Sequence, residues 1–235
     1  MQLSLRLTAI ADMVTEGNRL VDVGCDHGYL PVYLLLNNKI PGAIAMDVRK
    51  GPLSRAEEHI KAYGLENYIE TRLSDGLDAL TPGEGDTLVI AGMGGPLMER
   101  ILTQGKAVRD TFSEMILQPQ SDLPHFRHFI RAEGWEIEKE DMILEDGKFY
   151  PMMRVVPWET GDAVTYTKEE EWFGKLLLEG RHPVLEQYLH RELYIREKIA
   201  GQLMSAPGDT AKARFTEVEE EKQLIFAALK RYESI

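Results

Sequence analysis

A short apolar strand that runs directly into a glycine turn is the feature that most constrains the fold of this chain. Residues 20–23 read Leu-Val-Asp-Val, Gly24 follows, and a helix-forming segment begins at Tyr29. In α/β proteins such a turn lies at the carboxyl end of the first strand and at the start of a helix, where nucleotide-type cofactors bind. The sequence therefore predicts an α/β fold with a cofactor site at this turn.

The residues of the turn indicate which cofactor fits. A dinucleotide fold has the pattern G-x-G-x-x-G, whereas this chain has Gly24, Asp26 and Tyr29 at those three positions. Asp26 would place a carboxylate where a pyrophosphate must lie, so a nicotinamide dehydrogenase is the least favoured function. S-adenosylmethionine (SAM) carries a sulfonium cation and no phosphate, so an acid in the turn can be tolerated or useful. The pattern favours a SAM-dependent methyltransferase.

Hydrophobic periodicity extends the α/β pattern along the first two thirds of the chain. Strands are predicted at residues 20–23, 43–47, 69–73, 87–91 and 115–118, and helices at 3–15, 29–36, 53–63, 96–102 and 126–133. A β-hairpin over 135–142 and 149–156 ends this series. The order predicts a Rossmann-like, mostly parallel sheet of seven strands, which is typical of SAM-dependent methyltransferases.

Only helical periodicity remains after the predicted hairpin. Two long helices are expected over residues 183–204 and 210–232, with a compact turn at 206–209. Apolar residues recur along one side of each helix, which predicts an antiparallel hairpin with a coiled-coil seam. We therefore predict a catalytic domain over residues 1–157 and a helical coiled-coil domain over residues 158–235.

Composition narrows the cellular setting. A single cysteine excludes a disulfide framework and indicates a reducing compartment. The first residues lack a signal-peptide pattern and no apolar run is long enough to cross a bilayer, so we expect a soluble, cytoplasmic protein. The six scattered histidines predict no metal site. The net charge of −12 argues against a broad nucleic-acid surface but allows a local basic strip.

Acidic residues at the ends of three predicted strands are candidate cofactor ligands. Asp22 can accept a hydrogen bond from the cofactor's amino group. Asp47 lies 23 residues after Gly24, where nucleotide-binding folds use an acid to bind ribose hydroxyls. Asp75 can accept from the adenine amino group. Structural explanations stay open, since Asp22 can cap the following turn and Asp75 can belong to an ordinary Asp-Gly turn.

A loop with three glycines follows the fourth strand, at Ala91-Gly92-Met93-Gly94-Gly95-Pro96. Glycines leave a floor with almost no side chains, on which a flat ring can lie against the backbone. The loop lacks the acid or Asn, the two prolines and the aromatic with which amino-directed DNA methyltransferases grip an exocyclic amine. It therefore favours chemistry at a ring nitrogen, whose lone pair is already available. The alternative is a loop that is rich in glycine for tight packing alone.

Together these motifs resemble the TrmK family, the bacterial tRNA (adenine-22-N1)-methyltransferases. The resemblance covers about the first 155 residues in its motifs and the helical tail in its architecture. Its motifs are Asp22 to Pro31, Gly51-Pro52, Ala91 to Gly95, Leu117 to Pro119, and Gly147 to Tyr150. The family implies tRNA as the partner, a Rossmann-like SAM domain and a C-terminal coiled-coil domain. It also implies that Asp26 and Tyr29 face the target base.

The motifs and the resemblance define the expected site. The cofactor-binding residues are predicted to be Asp22, Gly24, Asp26, His27, Asp47, Val48, Asp75, Gly76, Leu77, Ala91, Gly92 and Met93. A direct contact of His27 with the cofactor is left open. Contacts with tRNA are expected from Arg6, Tyr29, Gly94, Gly95 and Arg191.

A mechanism follows from the chemistry of the base. N1 of adenine lies on the Watson–Crick edge, so the base must be unpaired or flipped out before it reacts. Catalysis then rests mainly on positioning two bound reactants, with little need for a general base. Asp26 can accept from the exocyclic amine and stabilise the charge that develops on the ring, and Tyr29 can stack on the base or bond to it. A turn-capping aspartate and a core tyrosine are the structural alternatives.

Other functions stay open at this stage. Residues 159–235 carry 11 Lys and Arg against 15 Asp and Glu, so their basic side chains can equally form a solvated face. A small-molecule methyltransferase that dimerises through the coiled coil is one alternative. A SAM-binding adaptor without activity is the other. The sequence leaves the oligomeric state undecided and favours a monomer.

Overall fold

The computed structural model describes residues 1–158, 165–205 and 208–233. The chain divides into two compact units, Met1–Gly161 and Asp162–Ile235. Within the part of the chain that the structure describes, no helix is both long and apolar enough to cross a membrane.

The first unit is built on a seven-stranded sheet. Its strands are β1 (Leu20–Val23), β2 (Ala43–Asp47), β3 (Ile69–Leu73), β4 (Thr87–Met93), β5 (Glu114–Pro119), β6 (Trp135–Glu145) and β7 (Lys148–Pro157). They lie in the order β3-β2-β1-β4-β5-β7-β6, in which β1 to β5 are parallel and β7 is antiparallel to both of its neighbours. The predicted fold class is confirmed.

The sheet order determines where a ligand can bind. From β1 the chain continues towards β2 and β3 on one side, and from β4 it continues towards β5 on the other. Loops that leave adjacent parallel strands in opposite directions open a crevice at the carboxyl ends of those strands. The crevice of this fold therefore lies beyond the ends of β1 and β4.

Helices cover the two faces of the sheet. They are α1 (Leu5–Met13), α2 (Tyr29–Leu36), α3 (Lys50–Ala62), α4 (Gly95–Gln104), the short α5 (Lys106–Arg109) and α6 (Leu123–Ala132). The core joins buried side chains of α1, α2 and α3 to those of β1, β2 and β4. Every residue of β1, β2 and β5 is buried, which explains the nearly continuous apolar runs of these strands.

Three helices of this unit begin earlier than the sequence pattern predicts: α3 and α4, as follows, and α6, which begins at Leu123 and not at residue 126. α3 begins at Lys50 and not at residue 53, so Gly51 and Pro52 lie in its first turn. Proline is tolerated there because the first N–H groups of a helix have no partner within the helix. α4 begins at Gly95 for the same reason, with Pro96 in its first turn. Glycine and proline therefore lie inside the first turns of α3 and α4 and do not lie before them.

The second unit is helical. It contains α7 (Lys168–Phe173), α8 (Lys175–Glu179), α9 (Pro183–Met204) and α10 (Asp209–Glu233). The two short helices were not predicted, although a Thr167–Glu170 capping box marks the start of α7.

The two long helices of the second unit are antiparallel. Arg196 of α9 pairs with Glu221 of α10 at 2.9 Å, and the Tyr232 hydroxyl donates to the His182 carbonyl at 3.0 Å. Leu185, Leu189, Val218 and Ile225 are among the side chains buried in this unit. The predicted turn at 206–209 lies partly outside the described residues, and the coiled-coil seam stays a prediction.

Candidate active site

The carboxyl ends of β1, β2, β3 and β4 surround a cavity of about 420 Å³, which we call the larger cavity. Its wall carries the carboxylates of Asp26, Asp47 and Asp75 and the guanidinium groups of Arg49 and Arg100. The same wall holds apolar side chains, among them Val48, Leu97 and Ile101. Acidic groups beside apolar ones suit a ligand that presents hydroxyls, amino groups and positive charge together with an apolar ring. The same wall is unsuited to a pyrophosphate.

The turn after β1 forms one side of the larger cavity. The N–H groups of Gly24 and Cys25 both donate to the Met46 carbonyl, at 2.8 and 2.9 Å, which ties this turn to the end of β2. Gly24 has a φ of +79°, a conformation that glycine adopts without steric cost. Asp26 has a φ of +49°, which Asp and Asn tolerate better than other residues. Its side chain is 62% exposed at the mouth of the cavity.

Two buried carboxylates lie below this turn. Asp47 accepts from the backbone N–H of Arg49 at 2.8 Å and is only 6% exposed. Asp22 is equally buried, and burial together with the charge of Asp47 raises its pKa to about 7, against an opposing effect of Arg6. Such a shifted carboxyl group in a crevice is typical of a functional site.

An ion pair closes another side of the larger cavity. Asp75, in the loop after β3, pairs with Arg100 of α4 at 2.9 Å. The hydrogen bond from Arg100 holds the pKa of Asp75 below its usual range. Sequence reasoning missed Arg100, because a basic residue inside an amphipathic helix gives no signal of its own.

A smaller pocket of about 80 Å³ adjoins the larger cavity. Arg6, Asp22 and Tyr29 line it, and Gly24, Asp26 and Ala91 line both spaces. The Arg6 guanidinium lies 5.5 Å from the centroid of the Tyr150 ring. Two adjoining pockets with a shared wall are what a transfer between two bound reactants requires.

Gln118 supports the shared wall from beneath. This buried residue of β5 accepts through Oε1 from the Gly92 N–H at 3.0 Å and from Arg6 Nη1 at 3.3 Å. It thereby links the loop after β4 to α1. Its role was missed, although a glutamine between the apolar residues of a buried strand is a visible signal.

The glycine loop is only partly a floor for a ligand. Gly92 lines the larger cavity and is exposed. Gly95 is buried, and a Cβ there would lie 2.5 Å from the Ser121 carbonyl oxygen, so close packing alone requires glycine at this position. Gly94 lies next to the Ser121 hydroxyl, where a Cβ would lie at 3.0 Å. The expected tRNA contacts of Gly94 and Gly95 stay predictions.

Comparison with known proteins identifies the family. A family described as a methyltransferase domain matches residues 3–153. The tRNA (adenine(22)-N(1))-methyltransferase of Bacillus subtilis is 38% identical over 162 residues, which cover 69% of this chain and 67% of that protein. The chain belongs to the TrmK family of tRNA methyltransferases.

Solved structures extend the similarity to both units of this TrmK-family chain. An uncharacterized protein from Listeria monocytogenes has a TM-score of 0.92 and 32% identity, and the match covers 97% of this chain and 100% of that one. A putative tRNA (m1A22) methyltransferase of Streptococcus pneumoniae, solved in complex with SAM, has a TM-score of 0.86 and 31% identity with the same coverage. The resemblance inferred from the motifs is confirmed.

The TrmK-family fold brings most of the predicted site residues together. The larger cavity is lined by Gly24, Asp26, Asp47, Val48, Asp75, Gly76, Ala91, Gly92 and Met93, and the smaller pocket by Arg6, Asp22 and Tyr29.

Five predicted residues line neither pocket: Gly94 and Gly95, described above, and His27, Leu77 and Arg191. The ring of His27 stacks on Tyr29, with 5.2 Å between the ring centroids. The Leu77 side chain is buried against Gly105, where a Cβ would lie 2.6 Å from Leu77 Cδ1. Arg191 is an exposed residue of α9 in the second unit. Among the described residues, no three His, Cys, Asp or Glu side chains are grouped to hold a metal ion.

Proposed function

We propose that this chain transfers a methyl group from SAM to N1 of adenine 22 in tRNA. The observation that carries the proposal is the pair of adjoining pockets, whose shared wall contains Gly24, Asp26 and Ala91. One pocket suits the cofactor and the other suits the reacting edge of a base. The names of the family's relatives support tRNA as the acceptor.

The larger cavity fits SAM through the chemistry of its wall. Asp47 suits the ribose hydroxyls, because a carboxylate pairs well with a vicinal diol. Asp75 suits the adenine amino group, and the buried charge of Asp22 favours a cationic ligand nearby. When bound, SAM supplies an electrophilic methyl group to the N1 lone pair and leaves as S-adenosylhomocysteine.

The residues of the smaller pocket act on the target base. We propose that Asp26 accepts from the exocyclic amine of the adenine, which fixes the base and stabilises the positive charge that develops on its ring. Tyr29 packs against the flipped base. The N1 lone pair is free at neutral pH, so no residue has to remove a proton before the methyl transfer.

A nucleoside analysis tests the reaction. Purified protein, labelled SAM and an unmodified tRNA transcript are incubated, the RNA is digested, and the labelled nucleoside is identified. We expect 1-methyladenosine, and we expect none from a transcript in which adenine 22 is replaced by guanine. Label in another nucleoside, or none in any tRNA, would overturn the proposal.

Asp26 provides the test of the named site. Asp26→Asn removes the negative charge but keeps the shape of the side chain, so we expect kcat to fall about 100-fold. The affinity for SAM, measured by calorimetry, should change little. Asp12→Asn is the matched control, because Asp12 is an exposed aspartate of α1. An Asp26→Asn enzyme with full turnover would exclude the electrostatic role.

The proposal includes the oligomeric state of the protein and its location in the cell. We propose a monomer as the active form. A tRNA substrate supports a cytoplasmic enzyme. Light scattering of the purified protein at assay concentration measures its mass, and a dimer that is required for activity would exclude the monomer.

A further inference from the structure

Four aromatic rings form a continuous row that leads out of the smaller pocket. The rings of His27 and Tyr29 are stacked at 5.2 Å, that of Tyr29 meets His59 edge-on at 4.9 Å, and that of His59 meets Tyr63 edge-on at 5.1 Å. We call these four residues the aromatic row. Its member Tyr29 lines the smaller pocket, and its last ring, Tyr63, directly follows α3.

Two rings of the aromatic row are open to solvent. Tyr29, within the row, and Tyr63, at its end, are each 42% exposed. His59, between them, is fixed by a hydrogen bond: its Nδ1 lies 3.1 Å from the His27 carbonyl oxygen. A carbonyl can only accept, so Nδ1 carries the proton and the opposite edge of the ring is directed away from this contact.

We propose that the aromatic row is a stacking surface for the nucleotides that adjoin the target adenine in the RNA. This inference rests on the proposed function. A base that leaves its stack exposes the faces of its neighbours, and proteins that bind unpaired RNA cover such faces with Tyr, Phe, Trp or His rings. The neighbours are covalently bound to the target nucleotide, so they must lie close to Tyr29, which is part of the row.

Charge along α3 agrees with an RNA partner. The sequence of α3 contains three basic residues, Lys50, Arg55 and Lys61, and two acidic ones, Glu57 and Glu58. This helix is therefore slightly basic, in a chain whose net charge is −12. Arg55 is exposed and lies four residues before His59, hence on the same side of the helix. The exposed rings are thus accompanied by basic side chains that can bind phosphates.

A purely structural role makes a different prediction. If the row served only to hold Tyr29 in place, its loss would lower kcat at saturating tRNA. A stacking surface instead contributes to the binding of RNA, so its loss raises the KM and the Kd for tRNA and leaves kcat and the affinity for SAM unchanged.

Tyr63 is the residue on which to test the inference, because it ends the row and is two ring contacts away from Tyr29, which lines the pocket. We expect Tyr63→Ala to raise the Kd and KM for an unmodified tRNA transcript about tenfold, the loss expected for one base–aromatic stack. Tyr63→Trp keeps an aromatic ring and should bind tRNA as the wild type does. Tyr63→Leu is apolar but has no planar ring on which a base can stack, so it should bind as weakly as Tyr63→Ala. Tyr68→Ala is the control, because Tyr68 is 56% exposed and lies just before β3, at the opposite end of the strands.

The measurements separate this inference from the proposed function. Wild-type protein that methylates tRNA, together with a Tyr63→Ala variant of unchanged Kd and KM, would overturn the stacking surface alone. A fall in kcat without a change in KM would also overturn it, in favour of the structural role. Wild-type protein that does not methylate tRNA would overturn the proposed function before any variant is compared.

Discussion

Burial of Asp22 has a structural cost, beside the role in SAM binding that we propose for it. It is buried at the end of β1, and burial and the charge of Asp47 raise its pKa to about 7, whereas Arg6 lowers it. Because the pKa in the folded state exceeds the ordinary value of 3.8, protonation of Asp22 stabilises the folded protein. That stabilisation is complete below pH 3.8 and is lost as the pH rises through about 7.

Asp22→Asn should therefore stabilise the unliganded protein at alkaline pH and impair SAM binding. We expect its free energy of unfolding at pH 8 to exceed that of the wild type by on the order of 2–4 kcal/mol, with a smaller difference at pH 5. The Kd for SAM should rise about tenfold, because a charged acceptor is lost. Denaturant unfolding and calorimetry over this pH range measure both effects.

Asp12→Asn is the control for this comparison, since it changes an exposed aspartate of the same unit. Its stability should follow that of the wild type at every pH. If the stability curves of Asp22→Asn and the wild type run parallel from pH 5 to 8, the carboxyl group of Asp22 does not titrate in this range.

Substitution of Gln118 tests whether this residue stabilises the wall that the two pockets share. Gln118→Ala removes the acceptor of the Gly92 N–H and the partner of Arg6. Loss of these partly buried hydrogen bonds costs about 0.5–1.5 kcal/mol, so the melting temperature should fall by roughly 1–6 °C. Gln120→Ala, at an exposed glutamine two residues on, should leave it unchanged. Equal melting temperatures for the two variants would show that Gln118 does not support this wall.

The site residues differ in how far the sequence could reveal them. Asp47 and Gly24 could be predicted, because a strand end, a turn and a spacing define them within a short stretch. Arg100 and Gln118 could not, because their partners, Asp75 and Gly92, lie 25 and 26 residues away on other elements. Contacts between elements depend on the strand order, which the local pattern does not contain.

Glu114 joins three elements at the amino end of the sheet. Its carboxylate accepts from Thr87 of β4 at 2.6 Å, from Thr15 after α1 at 2.7 and 2.9 Å, and from Arg154 of β7 at 2.6 Å. Burial raises the pKa of Glu114, but these hydrogen bonds outweigh burial and hold it below its usual range. The stability that this carboxylate provides is therefore present above pH 4.5 and is lost as the pH falls through the lowered pKa.

Glu114→Gln should destabilise the first unit strongly. The amide replaces one acceptor by a donor and leaves Arg154 without its buried partner, a loss of about 3–5 kcal/mol, or roughly 10 °C in melting temperature. Glu138→Gln is the matched control, because Glu138 also pairs with Arg154 but is 48% exposed. It should cost less than about 1 kcal/mol. Similar melting temperatures for both variants would contradict the role of Glu114.

The elements of the sheet could be predicted better than the helices. The bounds of β1 and β2 match the apolar runs, since burial on both faces makes each run nearly continuous. The start of α3 could not be predicted. In the sequence, Gly51-Pro52 indicates the end of a helix, whereas in the structure these two residues lie in the first turn of α3. α7 and α8 are too short to show a helical period, and only the capping box at Thr167 signals them.

At the scale of the whole molecule, an acidic protein has to bind tRNA, which is itself negatively charged. The net charge is −12, and residues 159–235 contribute −4 of it, so neither part of the chain is a basic arm. Binding of tRNA must then depend on local contacts, such as the aromatic row and single cations, and on the shape of the folded RNA. Such contacts can be distributed over both units, since Arg6 lies in the first and Arg191 in the second.

Removal of the second unit tests this distribution. Residues 1–158 contain all seven strands and both pockets, so we expect this fragment to fold and to bind SAM with a Kd within about twofold of the full chain. Its KM for tRNA should rise about tenfold or more, because contacts such as that of Arg191 are lost. Arg191→Ala in the full chain should raise the KM in the same direction but by less. A fragment that methylates tRNA with the KM of the full chain would assign RNA binding to the first unit alone, and the helical unit would then need another partner to explain its presence.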